Sequence, residues 1–397
     1  MNLERLTALT KLPSVVIASL LLLAVVAFAA VNRLVNRFSE QELALARHLH
    51  ERGQQEQRLG HPARALEDFR AALSYDRGNF QYRLSLARAL RDSGRTDESE
   101  TYLNSLWEEQ PQDGAVNLAL ARLYAREKSI DNAIRYYHNA IYGVWTSDAE
   151  SRRLSAHLEL TQFLLQQNAT QQAEAELITL ALHLPRDPSV LLQVAGDFMR
   201  TRDYEQALFH YQETLHLAHD DEAALSGAGQ AAFQLGRYRL AYDELSAAVR
   251  HNPEDADAKQ ALQLDEFVLR SDPFERGISG AERDRRVRTA FEAAGKRLDS
   301  CTPPEGSAAT SPAPLESLRA QWRAMKARLG RLRGRNAESP EAIMDLVFQI
   351  EQQATQSGQI CSAASDIDRA LVLLAQSRGD EGMRDQNQGD AHAGAAQ

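Results

Sequence analysis

The chain has 397 residues, of which 43 % are hydrophobic, 25 % charged and only 7 % aromatic. That balance excludes a wholly disordered chain, and the abundance of Ala, Leu, Gln, Glu and Arg favours helix over sheet. A formal charge of −10 speaks against a general nucleic-acid binder, and two cysteines exclude a disulfide-rich scaffold or a thiolate zinc site.

A short leader, residues 1–11, carries Arg5 and Lys11. It runs into an uncharged stretch from Leu12 to Val31. As a helix this stretch would be about 30 Å long, enough to cross a hydrocarbon core. Ala27-Phe28-Ala29 resembles a signal-peptidase site. The apolar run is longer than a usual signal core, which favours an uncleaved anchor over a cleaved signal. Arg5 and Lys11 before the span nearly balance Arg33, Arg37 and Arg47 after it. The large carboxyl-terminal body and the pair of cysteines favour a body outside the cytoplasm, periplasmic in a bacterium; a cytoplasmic body is the alternative. Residues 32–45 read as a juxtamembrane linker.

From residue 46 to 255 the chain repeats every 34 residues, as 46–79, 80–113, 114–147 and, after six extra residues, 154–187, 188–221 and 222–255. Each unit reads as two amphipathic helices. A small residue recurs in the first helix at Gly53, Ala87, Ala121, Thr161, Ala195 and Gly229, and in the second at Ala65, Ser99, Ala133, Ala173, Ala207 and Ala241. Four places on stand Phe69, Leu103, Tyr137, Leu177, Tyr211 and Leu245, and three further Ala72, Leu106, Ala140, Leu180, Thr214 and Ala248. Steps of four and three place these on one helix face. Gly60, Gly94, Asn168 and Gly236 mark the turns inside units, and Pro111, Pro185 and Pro253 stop second helices in register.

Taken together these positions resemble the tetratricopeptide repeat (TPR) family over about half the chain. The early aromatic or Leu of the pattern is Leu49, Leu191 and Leu225 in three units but Arg83, Asn117 and His157 in the others. The resemblance implies an all-α solenoid of six hairpins whose first helices line a concave, protein-binding surface. On that face the early units place Arg47, Arg58, Arg88, Arg91, Arg122 and Arg126; the later ones place Gln162, Leu192, Met199, Gln230 and Phe233. A surface basic at one end suits an acidic peptide or a chain terminus. Arginines paired with Glu and Asp of neighbouring helices are the equally open alternative. The interruption around Thr146–Arg153, after Ile141-Tyr142-Gly143-Val144-Trp145, reads first as a longer loop or an extended helix start, and second as a local change in superhelical pitch or an exposed aromatic contact.

Residues 256–270 read as a capping helix with Ala258, Ala261, Leu262 and Leu264 in its stripe, closing a solenoid that extends to 272. A small helical bundle follows over 273–377. Its elements carry Val287, Phe291, Ala294 and Leu298; then Leu315, Leu318, Trp322, Met325, Leu329 and Leu332 at coiled-coil spacing; then Ile343, Leu346, Val347 and Ile350; then Ile367, Ala370, Leu371 and Leu374. A basic helix over 315–335 reads as a bundle helix with a solvated face before it reads as a lipid-binding one. Residues 378–397 form a polar tail, read as disordered. Cys301 and Cys361 suit one disulfide in an oxidising compartment, or two thiols in the cytosol.

No phosphate loop, HExxH or GxSxG is present. Gly227-Ala228-Gly229-Gln230-Ala231-Ala232 fits a dinucleotide fingerprint formally but falls where the repeat wants small packing residues. His48 with His50, and His216 with His219, lack a third metal ligand. Asn168-Ala169-Thr170 is a glycosylation sequon. The sequence thus points to a membrane-anchored scaffold or adaptor in the cell envelope, binding protein and not nucleic acid, without cofactor or metal. A stoichiometric subunit of an envelope complex is the alternative, and an enzyme the remotest reading.

Overall fold

A computed structural model describes residues 13–301, 313–329, 338–358 and 360–378; the leader, the 302–312 linker and the tail from 379 lie outside them. The described chain is helical with no strand, its single bridge pairing Asp113 with Val144. It divides after Phe163 into two compact units.

The first unit opens on α1, Pro13–Arg58, one uninterrupted helix. Between Pro13 and Gly53 the sequence holds neither Gly nor Pro, so nothing breaks the helix at 32–45. The stretch read as a linker is therefore helical, and the apolar segment runs straight into the first repeat. Residues 16–45 are exposed throughout. Hairpins follow: α1 with α2 (Pro62–Tyr75), α3 (Phe80–Asp92) with α4 (Thr96–Glu109), and α5 (Gly114–Arg126) with α6 (Ile130–Ile141). Helix α7, Ala149–Gln166, spans the division. The second unit continues with α8 (Thr170–Ala181), α9 (Pro188–Thr201), α10 (Tyr204–Leu217), α11 (Glu222–Gln234), α12 (Tyr238–His251) and α13 (Ala256–Ser271).

The 34-residue period is a packing period. The small and large positions of all six second helices are buried, Phe69, Leu177 and Leu245 completely. Gly229 is small because a Cβ there would lie 2.5 Å from Leu245 Cγ, and Gly227 because it would run into the Tyr211 ring. The formal dinucleotide fingerprint is thus a helix–helix contact. The polar departures are accommodated locally. Asn117 is buried and its Nδ2 donates to the carbonyls of Pro111 and Asp113, both at 2.8 Å. Arg83 forks onto Glu109 at 2.5 and 2.7 Å.

Two further features share the period. First helices are capped by Asn79, Asp113, Asp187, Asp221 and Asp255, whose side chains accept from the backbone N–H two or three residues on. Turns use left-handed residues at Gly60, Gly94, Lys128, Asn168, Arg202 and Gly236, with φ between 58 and 78°. Five of the six extra residues, 149–153, lengthen the start of α7, and the residues before them form an ordered clip: Val144 N–H donates to Gln112 O and Gly114 N–H to Val144 O, each at 2.8 Å. Trp145 lies over Gly114 and donates to Ala140 O at 2.9 Å, while Tyr142 and Val144 stay exposed.

In the second unit the capping stripe is Ala258, Asp265 and Val268; Leu264, expected inward, is exposed, because the inward face runs one residue later. The carboxyl-terminal helices are α14 (Gly280–Ser300), α15 (Ala313–Leu329), α16 (Pro340–Gln356) and α17 (366–378). Their core includes Tyr238 and Val268, so they share one interior with the last repeat. Tyr238 Oη donates to Leu373 O at 3.1 Å. Leu315 and Leu318 are buried, and Trp322, Met325 and Leu329 pack against the same core; Leu332 and the basic residues Arg331, Arg333 and Arg335 lie outside the described residues. Cys301 and Cys361 stand with their sulfurs 2.09 Å apart.

Candidate protein-binding surface

The first unit gathers four of the expected arginines. Arg88 and Arg91 stand one turn apart on α3 and Arg122 and Arg126 one turn apart on α5; Arg122 lies 34 residues after Arg88, while Arg126 falls one place later than the equivalent of Arg91. Arg126 Nη1 donates to Arg91 O at 3.0 Å, which ties the two helices together. Arg152 of α7 adds a further positive charge within electrostatic reach of Arg88.

Their partners differ in kind. Arg122 donates twice to Glu159 of α7, at 2.8 and 2.5 Å, and this pairing raises its pKa. Arg91 is largely buried and donates to Asp92 Oδ1 at 2.9 and 2.7 Å, leaving its Nη1 enclosed without an acceptor. Arg88 has no carboxylate on it: its Nη2 donates to Ala115 O at 3.2 Å, and its buried Nε finds no acceptor. Burial first, then the like charges of Arg122 and Arg91, push this guanidinium down to about 10. Tyr137, within electrostatic reach of Arg122 and Arg91, is also buried, which together with Glu159 pushes its phenol up to about 12.

Five guanidinium groups (Arg88, Arg91, Arg122, Arg126 and Arg152) therefore face three carboxylates, Asp92, Asp113 and Glu159. Asp92 and Glu159 are already held by Arg91 and Arg122, and Asp113 caps α5. A cation that is desolvated, crowded by like charges and short of an acceptor is stabilised by any carboxylate that reaches it, more strongly than it would be in water. Arg122 is thus paired across neighbouring helices, while Arg88 has no carboxylate on it among the described residues.

Other expected positions stand apart from this cluster. Arg47 and Arg58 are exposed on α1. Gln162 is half-buried on α7, in the first unit. In the second unit Leu192 and Met199 are half-buried on α9, and Gln230 donates to Ser226 Oγ at 3.2 Å. Phe233 packs edge-on against Tyr238 at 5.4 Å and joins the carboxyl-terminal core. The core it joins draws on residues as distant as Ala375, which no short-range sequence signal reveals. His50 is engaged by Ser85 Oγ at 2.8 Å and by the Tyr82 ring, and among the described residues no group of three metal-ligating side chains converges.

Arg152 went unrecognised in the sequence because it lies in the inserted segment, out of phase with the repeat. It is held by Ser147 O at 3.0 Å and sits over the Trp145 ring. The signal available was Trp145 followed by Arg152 two helical turns on, which only the clip brings together.

Residues 58–123 match the family model described as tetratricopeptide repeat. A comparison with curated proteins finds no match. Among solved structures, Pseudomonas aeruginosa PilF is similar at 15 % identity, covering 55 % of this chain and 97 % of that one with a TM-score of 0.41. PilW, described as a type IV pilus biogenesis factor, is similar at 16 % identity, covering 55 % and 98 % with a TM-score of 0.40. YrrB, described as a TPR protein with a peptide-binding site, is similar at 13 % identity, covering 49 % and 97 % with a TM-score of 0.39.

Proposed function

We propose, of a chain that carries tetratricopeptide repeats, that it is a membrane-anchored adaptor whose first unit grips an acidic segment of a partner protein. The observation that carries this reading is Arg88: half-buried with its Nε enclosed, surrounded by arginines and, among the described residues, without a carboxylate of its own. A partner's Glu, Asp or terminal carboxylate would dock on it, with Arg91, Arg126 and Arg152 around the rim, while Glu159 holds Arg122 in place. Repeat arrays work by offering such a preformed surface, so the role is binding and not turnover.

Anchoring is supported by α1, whose apolar half is long enough to span a bilayer and wholly exposed. The closeness of the Cys301 and Cys361 sulfurs supports a body in an oxidising compartment, and with it an envelope role. The second unit serves as a rigid platform, its last repeat locked by the carboxyl-terminal helices. A second reading, a stoichiometric subunit of an envelope complex, is favoured by Leu182 and Phe209, 74 % and 54 % exposed on that unit.

Affinity capture with the full chain from detergent-solubilised membranes tests the adaptor reading. Wild type is expected to retain a partner that Arg88→Gln loses while keeping its helical content and melting temperature. Equal capture by both proteins refutes it.

A further inference from the structure

Residues 16–45 of α1 touch solvent at every position; the membrane half is apolar on all sides, and one heptad stripe continues from it into the polar half, with exposed Val35 and Leu43 lying off it. In the membrane half it runs Ile17, Leu20, Ala24 and Ala27. Beyond it come Val31, Leu34, Phe38 and Leu45, with Gln41 in the one remaining place. The steps alternate three and four over four heptads, about 42 Å of helix at 1.5 Å per residue. Phe38 is 60 % exposed and Leu45 43 %. This is not the face by which α1 joins its own fold: Ala46, one residue past Leu45, is fully buried, as is Gly53 two turns on. The two stripes adjoin on the helix surface, since Leu49, one turn past Leu45, already packs against the fold beside Ala46.

We infer that this stripe is the seam of a parallel two-stranded coiled coil formed with a second copy of the same chain. The inference rests on α1 being a membrane span, since a bilayer holds every copy parallel and at one depth, which sets the register. In that register Arg37, flanking the seam, meets Glu42 of the second copy, five residues on, and symmetry makes the pair twice. That is the spacing at which opposite charges bridge parallel strands. Ile17 and Val31 occupy the positions where β-branched residues favour two strands, with Leu20 and Leu34 at the alternate ones. Ala24 and Ala27 permit close approach inside the lipid, where small residues drive helix contact. Gln41 meets its own copy, and a polar pair inside such a seam specifies register at some cost in stability. Because α1 continues without a break into the first repeat, the two arginine clusters would be carried side by side, doubling the valency for an acidic partner.

Oxidative cross-linking in native membranes tests this on the full chain, with Cys301 and Cys361 kept and wild type as the background. Single substitutions Leu34→Cys and Phe38→Cys on the seam are compared with Asn36→Cys and Leu43→Cys on the opposite side. Seam positions are expected to give several-fold more disulfide-linked dimer than the others; equal yields at all four, or dimer at none, overturn the coiled coil. In the Phe38→Cys background, Arg37→Glu and Glu42→Arg are each expected to cut the yield several-fold and together to restore it. No restoration overturns the parallel register. Alkaline extraction of the same membranes separates the two claims. A chain that is washed free yet keeps the seam pattern refutes the anchor alone, and an integral chain with an even pattern refutes the seam alone.

Discussion

Lys128 and Arg202 sit where the other turns use Gly60, Gly94 and Gly236, in the left-handed region at φ 58° and 66°. Arg202 closes α9, its N–H reaching Met199 O at 3.2 Å while the next residue reaches Phe198 O at 3.1 Å; Lys128 closes α5 in the same way. An L side chain in this conformation costs on the order of 1–2 kcal/mol, because its Cβ crowds the following carbonyl. Glycine removes that cost but adds unfolded-state freedom of roughly 0.5–1 kcal/mol. Both side chains are exposed and, among the described residues, make no ion pair or side-chain hydrogen bond, so nothing else is lost. Lys128→Gly and Arg202→Gly are therefore each expected to stabilise by about 0.5–1 kcal/mol. Gly94→Ala is expected to destabilise by a similar amount, although no atom lies within 4 Å of its new Cβ, so that the conformation alone accounts for the loss. Asn168→Gly should gain less, since Asn tolerates this region. Urea unfolding of the full chain, followed by helical circular dichroism, reads all four on one scale. Destabilisation by Arg202→Gly, or no effect from Gly94→Ala, would refute the reasoning.

Removing the cap in Asp221→Ala is expected to cost about 1 kcal/mol by the same assay, through loss of the bond to Ala224 N–H at 2.8 Å. Opening the Cys301–Cys361 link, which closes a loop of 60 residues, should cost the carboxyl-terminal helices on the order of 4 kcal/mol; comparing unfolding with and without reductant measures it. Glu351 and Asp265 are buried without hydrogen-bond partners, and burial pushes each up to about 8; Asp368 reinforces this at Glu351 against Arg297, and Glu275, Asp243 and Glu266 reinforce it at Asp265. Folded pKa values raised above the unfolded ones mean stability that is complete below the unfolded carboxylate range near pH 4 and falls as pH rises to about 8. Melting temperatures across that window should decline in wild type and decline less in Glu351→Gln; an unchanged slope would contradict the burial of an unpaired acid.

The period was legible because packing imposes it: a helix pair admits only small residues where its axes approach, and those residues recur whatever else varies. Asn79, Asp113, Asp187, Asp221 and Asp255 carried the same phase in plain view, and a search for recurring cap residues would have added them. The turns at Lys128 and Arg202 were hidden, since neither side chain advertises a left-handed backbone. The continuity of α1 follows from the absence of Gly and Pro between Pro13 and Gly53, a stronger signal than the change in polarity at residue 32. Which arginine is paired was beyond local reading. Arg122 meets Glu159, and Arg88 meets no acid, because the order of helices in space and not their spacing in the chain decides it. For the same reason Phe233, placed by phase on an open face, joins the core that the carboxyl-terminal helices build with Tyr238.

The most direct test of the central claim is the affinity of the full, detergent-solubilised chain for a fluorescent Glu-rich peptide, measured by anisotropy at low and physiological salt, in wild type and Arg88→Gln. Losing one charge-assisted contact worth about 1.5–3 kcal/mol should weaken binding roughly ten- to a hundredfold, and wild-type binding should fall as salt rises. Equal affinity of the two proteins, with the same salt dependence, would show that the buried guanidinium does not receive the guest.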